Sequence, residues 1–227
     1  MTERAGERDG LFERLAVVGK AFASPKRLML LDLLAQGERT VEALARESAV
    51  GLSTVSAHLQ ILKLSHLVET RREGTKIHYR LAGEDVLALY AAMRTVAREH
   101  SADVDRALAA YLGGAGLDDV EQVTREELVA RLAEESVLLL DVRPVEEYAA
   151  GHIPGAQSVP FGDLTSAEAQ ALLVGAGEKD VVAYCRGAWC VLAHDAVRLL
   201  RTGGTEVRRL QDGMLEWRTT GHPVEVG

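Results

Sequence analysis

The chain has 227 residues, of which 47% are hydrophobic and 26% are charged, with a formal net charge of −8. This length predicts two compact domains of about 100 residues each, and the composition is typical of a soluble globular protein. The apolar runs fall short of the roughly 18 residues that cross a membrane, and the charged N-terminus has no apolar signal segment behind it. We therefore expect a cytoplasmic protein without membrane contact.

Negative charge is concentrated in the second half of the chain. Residues 1–113 contain 16 Lys and Arg against 15 Asp and Glu, whereas residues 114–227 contain 10 against 19. Within the first half, residues 51–80 carry a local excess of positive charge. Because phosphate contacts supply much of the affinity for DNA, we expect DNA binding in the first half and a different partner for the second.

The hydrophobic pattern changes at YLGGAGLDDVEQVT, residues 111–124. Helical periodicity precedes this glycine-rich stretch, and short apolar runs alternate with amphipathic segments after it. The sequence predicts a mainly helical domain at residues 1–112, a linker at 113–122, and an α/β domain with a central, mostly parallel sheet at 123–227.

Four amphipathic helices are predicted at the start of the first domain. Residues 11–22 form the first, and the second begins at Ser24 as N-cap and stops at Gly37. Thr40 is the predicted N-cap of the third, and a turn at Gly51 leads into the fourth. A long final helix is predicted at residues 84–111.

The fourth helix, in LSTVSAHLQILKLSHLV, has two different faces. Val55, Leu59 and Leu62 form an apolar face, while small and polar side chains point the other way. An exposed face of this kind suits the major groove of DNA. The residues of this helix predicted to contact DNA are Ser53, Thr54, Ser56, Ala57, Gln60 and Lys63.

A two-stranded hairpin is predicted in LVETRREGTKIHYRLA, with Gly74 in its turn. Arg71, Arg72 and Lys76 lie near the tip, where basic side chains suit phosphates or a minor groove. The string STVSAHLQILKLSHLVETRREGTKIHYRL resembles the recognition helix and wing of the ArsR/SmtB repressors, a resemblance that covers about residues 10–110. It implies a homodimer, formed by the first and last helices, on a palindromic double-stranded DNA operator. The alternative is a winged helix that binds protein rather than DNA.

ArsR/SmtB repressors often sense metals, so the possible ligands matter. The third helix, ERTVEALARE, lacks the cysteine pair that the resemblance would require, and the last helix offers only His100 and Asp103. A zinc site needs three or four ligands. His58 is interpreted as a hydrogen-bonding residue at the edge of the core, and His66 and His78 as surface residues. We expect neither a metal site nor a cofactor.

Both cysteines of the chain lie in VVAYCRGAWCVLAHDAVRLL. Cys185 ends a predicted strand and a helix begins near Val191, so the intervening backbone N–H groups should face inward at a helix N-terminus. Such donors stabilise an anion and lower the pKa of a thiol, which makes Cys185 the predicted nucleophile and persulfide carrier. The predicted catalytic set is Cys185, Arg186, Gly187, Ala188, Trp189 and Cys190.

The strings VLLLDVRPVEEYAAGHIPGAQSVPF, DVVAYCRGAWC and LQDGMLEW together resemble the rhodanese domain, over about residues 120–225. The resemblance implies that Cys185 takes sulfane sulfur from thiosulfate or a polysulfide and passes it to a thiol or cyanide. Phosphatase relatives place an arginine six residues after the cysteine, where this chain has Val191. Asp141 and Arg143 are interpreted as structural residues, Trp189 as a lid over the loop, and His152 as packed in its own loop.

Where rhodaneses often have Ser or Thr, this chain has Cys190. That thiol either resolves a persulfide as a disulfide or is a small buried replacement for Ser. Three functions stay open: a regulator whose DNA binding responds to sulfur on Cys185, a sulfurtransferase with an attached DNA-binding domain, and a sensor of arsenite through both cysteines.

Overall fold

A computed structural model describes residues 2–113 and 121–227. The chain divides into two compact units, residues 1–90 and 91–227. This division lies before the predicted linker at 113–122, because residues such as Arg94 pack within the second unit. Gly114 and Gly116 of that linker lie outside the described residues. Within the described ranges, none of the helices is both long and apolar enough to cross a membrane.

The first unit contains five helices and a small sheet in its described part. Strand β3 lies in the middle of the sheet and pairs antiparallel with β1 and β2. This is the winged helix-turn-helix architecture expected from the sequence. The elements are α1 (Thr2–Phe22), α2 (Pro25–Leu34), β1 (Arg39–Thr40), α3 (Val41–Ser48), α4 (Leu52–Leu64), β2 (Val68–Glu73), β3 (Lys76–Leu81) and α5 (Glu84–His100), which continues into the second unit.

Of the two predicted N-cap residues, Thr40 caps its helix through its side chain and Ser24 does not. The Thr40 hydroxyl accepts a hydrogen bond from the backbone N–H of Ala43 and caps α3. Ser24 does precede α2 in an extended conformation, but its hydroxyl makes no capping bond to the described residues. Pro25 at the first position fixes the backbone for the helix instead.

The predicted helix at 84–111 is wrong as one continuous element. It is two helices, α5 and α6 (Ala102–Tyr111), which Ser101 separates. Ser101 is extended, and its side chain accepts from the N–H of Val104. Serine competes for backbone hydrogen bonds and favours caps over helix interiors, so it ends one helix and starts the next.

The second unit is an α/β fold built on a five-stranded sheet with strand order β4-β8-β7-β5-β6. All its described strand pairs are parallel, which confirms the predicted parallel sheet. After α6 the elements are β4 (Gln122–Val123), α7 (Arg125–Ala133), β5 (Val137–Asp141), α8 (Val145–Ala150), β6 (Gln157–Ser158), a 3₁₀ helix (Phe161–Asp163), α9 (Ala167–Gly175), β7 (Asp180–Tyr184), α10 (Val191–Thr202), β8 (Arg208–Leu210) and α11 (Met214–Thr219).

Both faces of this sheet are buried, which explains the continuous apolar runs of its strands. Val182 and Tyr184 of β7 pack on one face with Trp217. Ala183 and Cys185 belong to the core on the other face, which α10 covers. Cys185 therefore lies directly beyond the carboxyl end of the central strand, where parallel α/β sheets place their binding sites.

Candidate functional site

The predicted catalytic residues form one short loop between β7 and α10, named here the thiol loop (residues 185–190). Cys185 is buried and Cys190 is half-buried at the N-cap position of α10. The Cys190 N–H donates to the carbonyl oxygen of Gly187 at 3.0 Å and closes the loop. The Cys185 sulfur lies 3.6 Å from the Cys190 carbonyl oxygen and 3.9 Å from that of Gly187. The loop therefore wraps around this sulfur.

The two thiols differ in acidity. Burial raises the pKa of Cys185, and the neighbouring Cys190 adds to this, although N–H groups of Gly187 and Ala193 act in the opposite direction. The pKa of Cys190 is lowered because the Cys185 thiol donates a hydrogen bond to it. The expectation that the loop lowers the pKa of Cys185 is therefore wrong in sign, because complete burial outweighs the loop donors.

Arg186 contributes its side chain to a partly buried ion pair. Its guanidinium donates to the carboxylate of Glu147 on α8, at 2.5 and 3.0 Å, and that carboxylate is fully buried. The backbone N–H of Arg186 helps to lower the pKa of Cys190. Arg186 thus supports the thiol loop through its backbone, while its charge is balanced by Glu147.

Helix α11 is docked on the thiol loop. The N–H of Met214 donates to the carbonyl oxygen of Cys185, and the N–H of Leu215 to that of Arg186, each at 2.9 Å. The Glu216 carboxylate accepts from the N–H of Gly213 at 3.1 Å and from that of Ala188 at 3.3 Å. Burial raises the pKa of Glu216. Sequence reasoning missed Glu216, although LQDGMLEW was recognised as part of the domain.

Trp189 has a charged neighbour that the sequence did not reveal. The guanidinium carbon of Arg94, on α5, lies 4.5 Å from the centre of the Trp189 ring. The same side chain lies 3.9 Å from the Glu216 carboxylate and is buried. Arg94 and Glu216 border the thiol loop beside its residue Trp189, and nothing in the helical pattern of α5 distinguishes Arg94 from its neighbours.

Asp141 and Arg143 are fully buried and pair with each other, at 2.5 Å. The Tyr184 hydroxyl donates to Asp141 at 2.6 Å and ties the ends of β5 and β7 together. This geometry agrees with a structural role. His152 is buried, as expected, but it stacks on the Tyr148 ring of α8 with centroids 3.7 Å apart rather than packing within its own loop.

Two further polar side chains are buried on the α10 side of the sheet. His194 is 2% exposed, and neither of its ring nitrogens has a hydrogen-bond partner among the described residues. Burial and the charges of Arg209 and Arg198 lower its pKa to about 4. Arg209 is buried as well and interacts favourably with Cys185. The sequence offered no signal for this pair.

The predicted recognition helix presents the expected face. Val55, Leu59 and Leu62 are fully buried. Among the residues predicted to contact DNA, Ser56 is half-buried, and those that are exposed are Ser53, Thr54, Ala57, Gln60 and Lys63.

The hairpin carries its basic residues on exposed positions, but Arg71 has acidic partners. It pairs with Glu38 at 2.5 Å and with Glu73 at 2.8 Å. Arg72 donates to the carbonyl oxygen of Gly74 in the turn. Lys76 is exposed.

In the described ranges, no group of three or more His, Cys, Asp or Glu residues is arranged to hold a metal ion. His100 and Asp103 are exposed on two different helices. His66 lies in a turn with a φ of 57°, and His78 lies beside Glu38. The buried Nδ1 of His58 lacks a partner within the described residues, contrary to the expected hydrogen bond.

A winged helix-turn-helix unit joined to an α/β unit with a thiol loop defines a DNA-binding regulator with a rhodanese-like domain. The profile described as "Bacterial regulatory protein, arsR family" matches residues 24–70, and that of the "Rhodanese-like domain" matches residues 124–220. The HTH-type transcriptional regulator Rv0324 of Mycobacterium tuberculosis is 51% identical over 227 residues, which cover this whole chain and 97% of that protein. The chain belongs to the ArsR family of transcriptional regulators and carries a C-terminal rhodanese-like domain.

Two further relatives match a smaller share of the chain. The nodulation protein NolR of Rhizobium meliloti is 38% identical over 76 residues, which are 34% of this chain and 62% of that protein. The homodimeric winged helix-turn-helix DNA-binding domain Mb0332 of Mycobacterium bovis has 54% identity and a TM-score of 0.40, covering 41% of this chain and 87% of that one.

Proposed function

We propose that this regulator binds a palindromic operator as a homodimer and that sulfane sulfur on Cys185 modulates the binding. The observation that carries the proposal is the enclosed thiol pair beyond β7, in a chain whose DNA-binding half has no cysteine. In this proposal residues 1–112 bind DNA and dimerise, residues 113–122 are a linker, and residues 123–227 react with sulfur.

The two neighbouring thiols supply a route for the first proton. In this proposal Cys190, whose pKa is lowered by its neighbour Cys185, ionises first and then accepts the proton of Cys185. The Cys185 thiolate then attacks the terminal sulfur of a donor R–S–SH. A new S–S bond forms at Cys185, the donor's S–S bond breaks, and R–S⁻ leaves with both electrons.

Cys190 also gives the loaded loop a second step. The leaving R–S⁻ takes up the proton that Cys190 holds, and the regenerated Cys190 thiolate attacks the inner sulfur of the Cys185 persulfide, forms a Cys185–Cys190 disulfide and releases HS⁻. Neither step needs an added oxidant, because the donor sulfur is already oxidised. The persulfide and the disulfide are therefore two chemically distinct signals from one loop.

Helix α5 supports a link between sulfur chemistry and DNA binding. It begins at Glu84 in the first unit, and its residue Arg94, in the second unit, contacts Trp189 and Glu216. In this proposal, sulfur loading changes the shape of the thiol loop and therefore the contact of Arg94 with Trp189 and Glu216. The resulting change in the C-terminal part of α5 alters the affinity for the operator.

The DNA-binding half of the proposal rests on α4 and on relatives. The exposed face of α4 carries small and polar side chains such as Ser53 and Gln60, which fit a major groove. The 54% identical domain of Mycobacterium bovis is described as homodimeric and DNA-binding. We extend both properties to this chain.

A paired measurement tests the proposal. Wild-type protein and Cys185→Ser are exposed briefly to polysulfide, and each sample is divided between intact-protein mass spectrometry and an operator gel shift. We expect a sulfur adduct and a changed shift in the wild type, with unchanged DNA binding and no response in the variant. A variant that still responds would overturn the proposal.

A sulfurtransferase is the second candidate, favoured by the complete thiol loop within the rhodanese-like match. A sensor needs one reaction for each switch, whereas an enzyme turns over many times. Steady-state formation of thiocyanate from cyanide and a sulfur donor distinguishes the two. Sustained turnover together with sulfur-independent DNA binding would favour the enzyme.

A further inference from the structure

We propose that the thiol loop takes sulfur from organic persulfides and rejects dianionic donors such as thiosulfate, with Glu216 as the specificity-determining residue. The inference rests on the proposed loading of Cys185 and names the donor class for it. Three observations at the loop support it. A backbone N–H group of the loop already donates to a carboxylate, the arginines beside the loop pair with acidic side chains, and the loop carries an aromatic ring.

The first observation is that a carboxylate of the protein itself, that of Glu216, accepts from a backbone N–H group of the loop. A thiosulfate ion needs inward-facing N–H groups for its sulfonate oxygens. The N–H of Ala188 donates instead to Glu216, at 3.3 and 3.4 Å. A Cβ atom on Gly187 would lie 2.9 Å from a Glu216 oxygen, which shows how closely the carboxylate approaches the loop backbone.

The second observation concerns the positive charges beside the loop. Arg186 pairs with Glu147, and Arg94 lies next to Glu216. These four side chains together have no net charge. The buried Arg209 interacts favourably with Cys185, and its single charge matches the single negative charge of a thiolate or persulfide. Among these side chains, the second negative charge of a dianionic donor therefore finds no positive partner.

The third observation is that the loop offers an aromatic surface. Trp189 is half-buried, and its ring borders the loop beside Arg94. An aromatic ring packs against the carbon atoms of an organic donor but gives no comparable contact to a small, strongly hydrated sulfonate. Carbon-bearing persulfides therefore gain a contact that thiosulfate lacks.

The two donors react through balanced steps that differ in charge. With an organic persulfide, the Cys185 thiolate and R–S–SH give Cys185–S–SH and R–S⁻. With thiosulfate, the same thiolate takes the outer sulfur, the S–S bond breaks, and sulfite leaves as a dianion. Only the second reaction brings two negative charges up to the Glu216 carboxylate, so only that reaction is opposed by it.

The test uses Glu216→Gln in the full-length protein. Glutamine keeps a side-chain oxygen for the N–H groups of Gly213 and Ala188 but removes the charge. The rate of sulfur loading on Cys185 is measured by intact-protein mass spectrometry with cysteine persulfide and with thiosulfate. Glu126→Gln, which neutralises an exposed carboxylate on α7, is the matched control.

We expect wild-type protein and Glu126→Gln to load from cysteine persulfide at least about tenfold faster than from thiosulfate. Glu216→Gln should raise the thiosulfate rate by about tenfold and the persulfide rate by much less. Added salt should accelerate thiosulfate loading of the wild type, because it screens the repulsion.

Two outcomes would overturn the inference. Equal effects of Glu216→Gln on both donors would remove Glu216 as the selecting residue while leaving the proposed loading intact. Failure of both donors to load Cys185 would remove the proposed function together with this inference. Loading that leaves operator binding unchanged affects only the regulatory half of the proposed function, and donor selection by Glu216 would stand.

Discussion

Gly213 lies so close to Gly187 that a side chain at residue 213 has no space. A Cβ atom there would lie 2.6 Å from the Gly187 Cα and 2.5 Å from the carbonyl oxygen of Cys185. This close approach lets the N–H of Met214 reach that same carbonyl. The distant LQDGMLEW segment therefore fixes the backbone from which the reactive sulfur projects.

Gly213→Ala should lower the free energy of unfolding by about 1–3 kcal/mol, as overpacking does in a tight site, and should slow sulfur loading. The backbone at Gly213 is extended, so the cost arises from crowding rather than from its φ angle. Urea unfolding and the loading rate are the measurements. Gly162→Ala, where a Cβ meets no atom within 4 Å, is the control. Equal effects of the two substitutions would contradict the crowding argument.

Cys190→Ser should shift the pH dependence of sulfur loading to higher pH. In the wild type the lowered pKa of Cys190 provides a thiolate beside Cys185, so loading rises with pH through that pKa. Serine does not titrate there, so the variant must deprotonate the buried Cys185 directly, and burial raises the pKa of that thiol. Loading rates measured across the pH range by mass spectrometry give both profiles. Superimposable profiles would show that Cys190 is not the proton acceptor.

His194→Leu should stabilise the protein by about 1 kcal/mol at neutral pH, because it removes two buried ring nitrogens that lack hydrogen-bond partners within the described chain. The folded-state pKa of about 4 lies below the ordinary 6.5, so the unfolded chain binds a proton first. The wild type should therefore lose stability as pH falls from about 6.5 to about 4.

The same acid-dependent loss should be smaller in His194→Leu. Urea unfolding at several pH values measures both effects, with His100→Gln as the control because His100 is exposed. A leucine variant with the same pH dependence as the wild type would show that another group titrates in this range.

Arg94→Met should allow sulfur loading of Cys185 but reduce the effect of that loading on DNA binding. Methionine retains an apolar chain next to Trp189 but loses the charge that lies 3.9 Å from Glu216. We expect Cys185 to load sulfur while the change in operator affinity falls, as measured by fluorescence anisotropy with labelled operator. Arg98→Met, on the same helix and with an exposed side chain, should retain the full change. A full response in Arg94→Met would exclude this contact as the link.

Features that depend on a pattern of residue types along neighbouring positions were predictable from the sequence. The spacing of Val55, Leu59 and Leu62 identified the buried face of α4, and an apolar run before Cys185 placed the thiol at a strand end. Both patterns are local, since helices and strands impose their own periods on the sequence.

The partners of the site could not be predicted in the same way. Glu216 meets Ala188 from 28 residues away, and Arg94 reaches Trp189 across a still longer stretch of chain. The acidity of Cys185 was predicted with the wrong sign because depth of burial depends on the whole fold. Ser101 was the exception: its preference for helix caps is a local signal that the predicted continuous helix overlooked.

The placement of Trp189 gives this protein an internal optical reporter. The chain has only two tryptophans, and the other, Trp217, is packed in the core with its indole N–H donating to Pro223. The Trp189 indole lies beside the Arg94 guanidinium and is carried by the thiol loop, so its emission changes when either of them moves. With Trp217→Phe removing the background signal, the fluorescence of Trp189 would follow the sulfur reaction in real time, without any label.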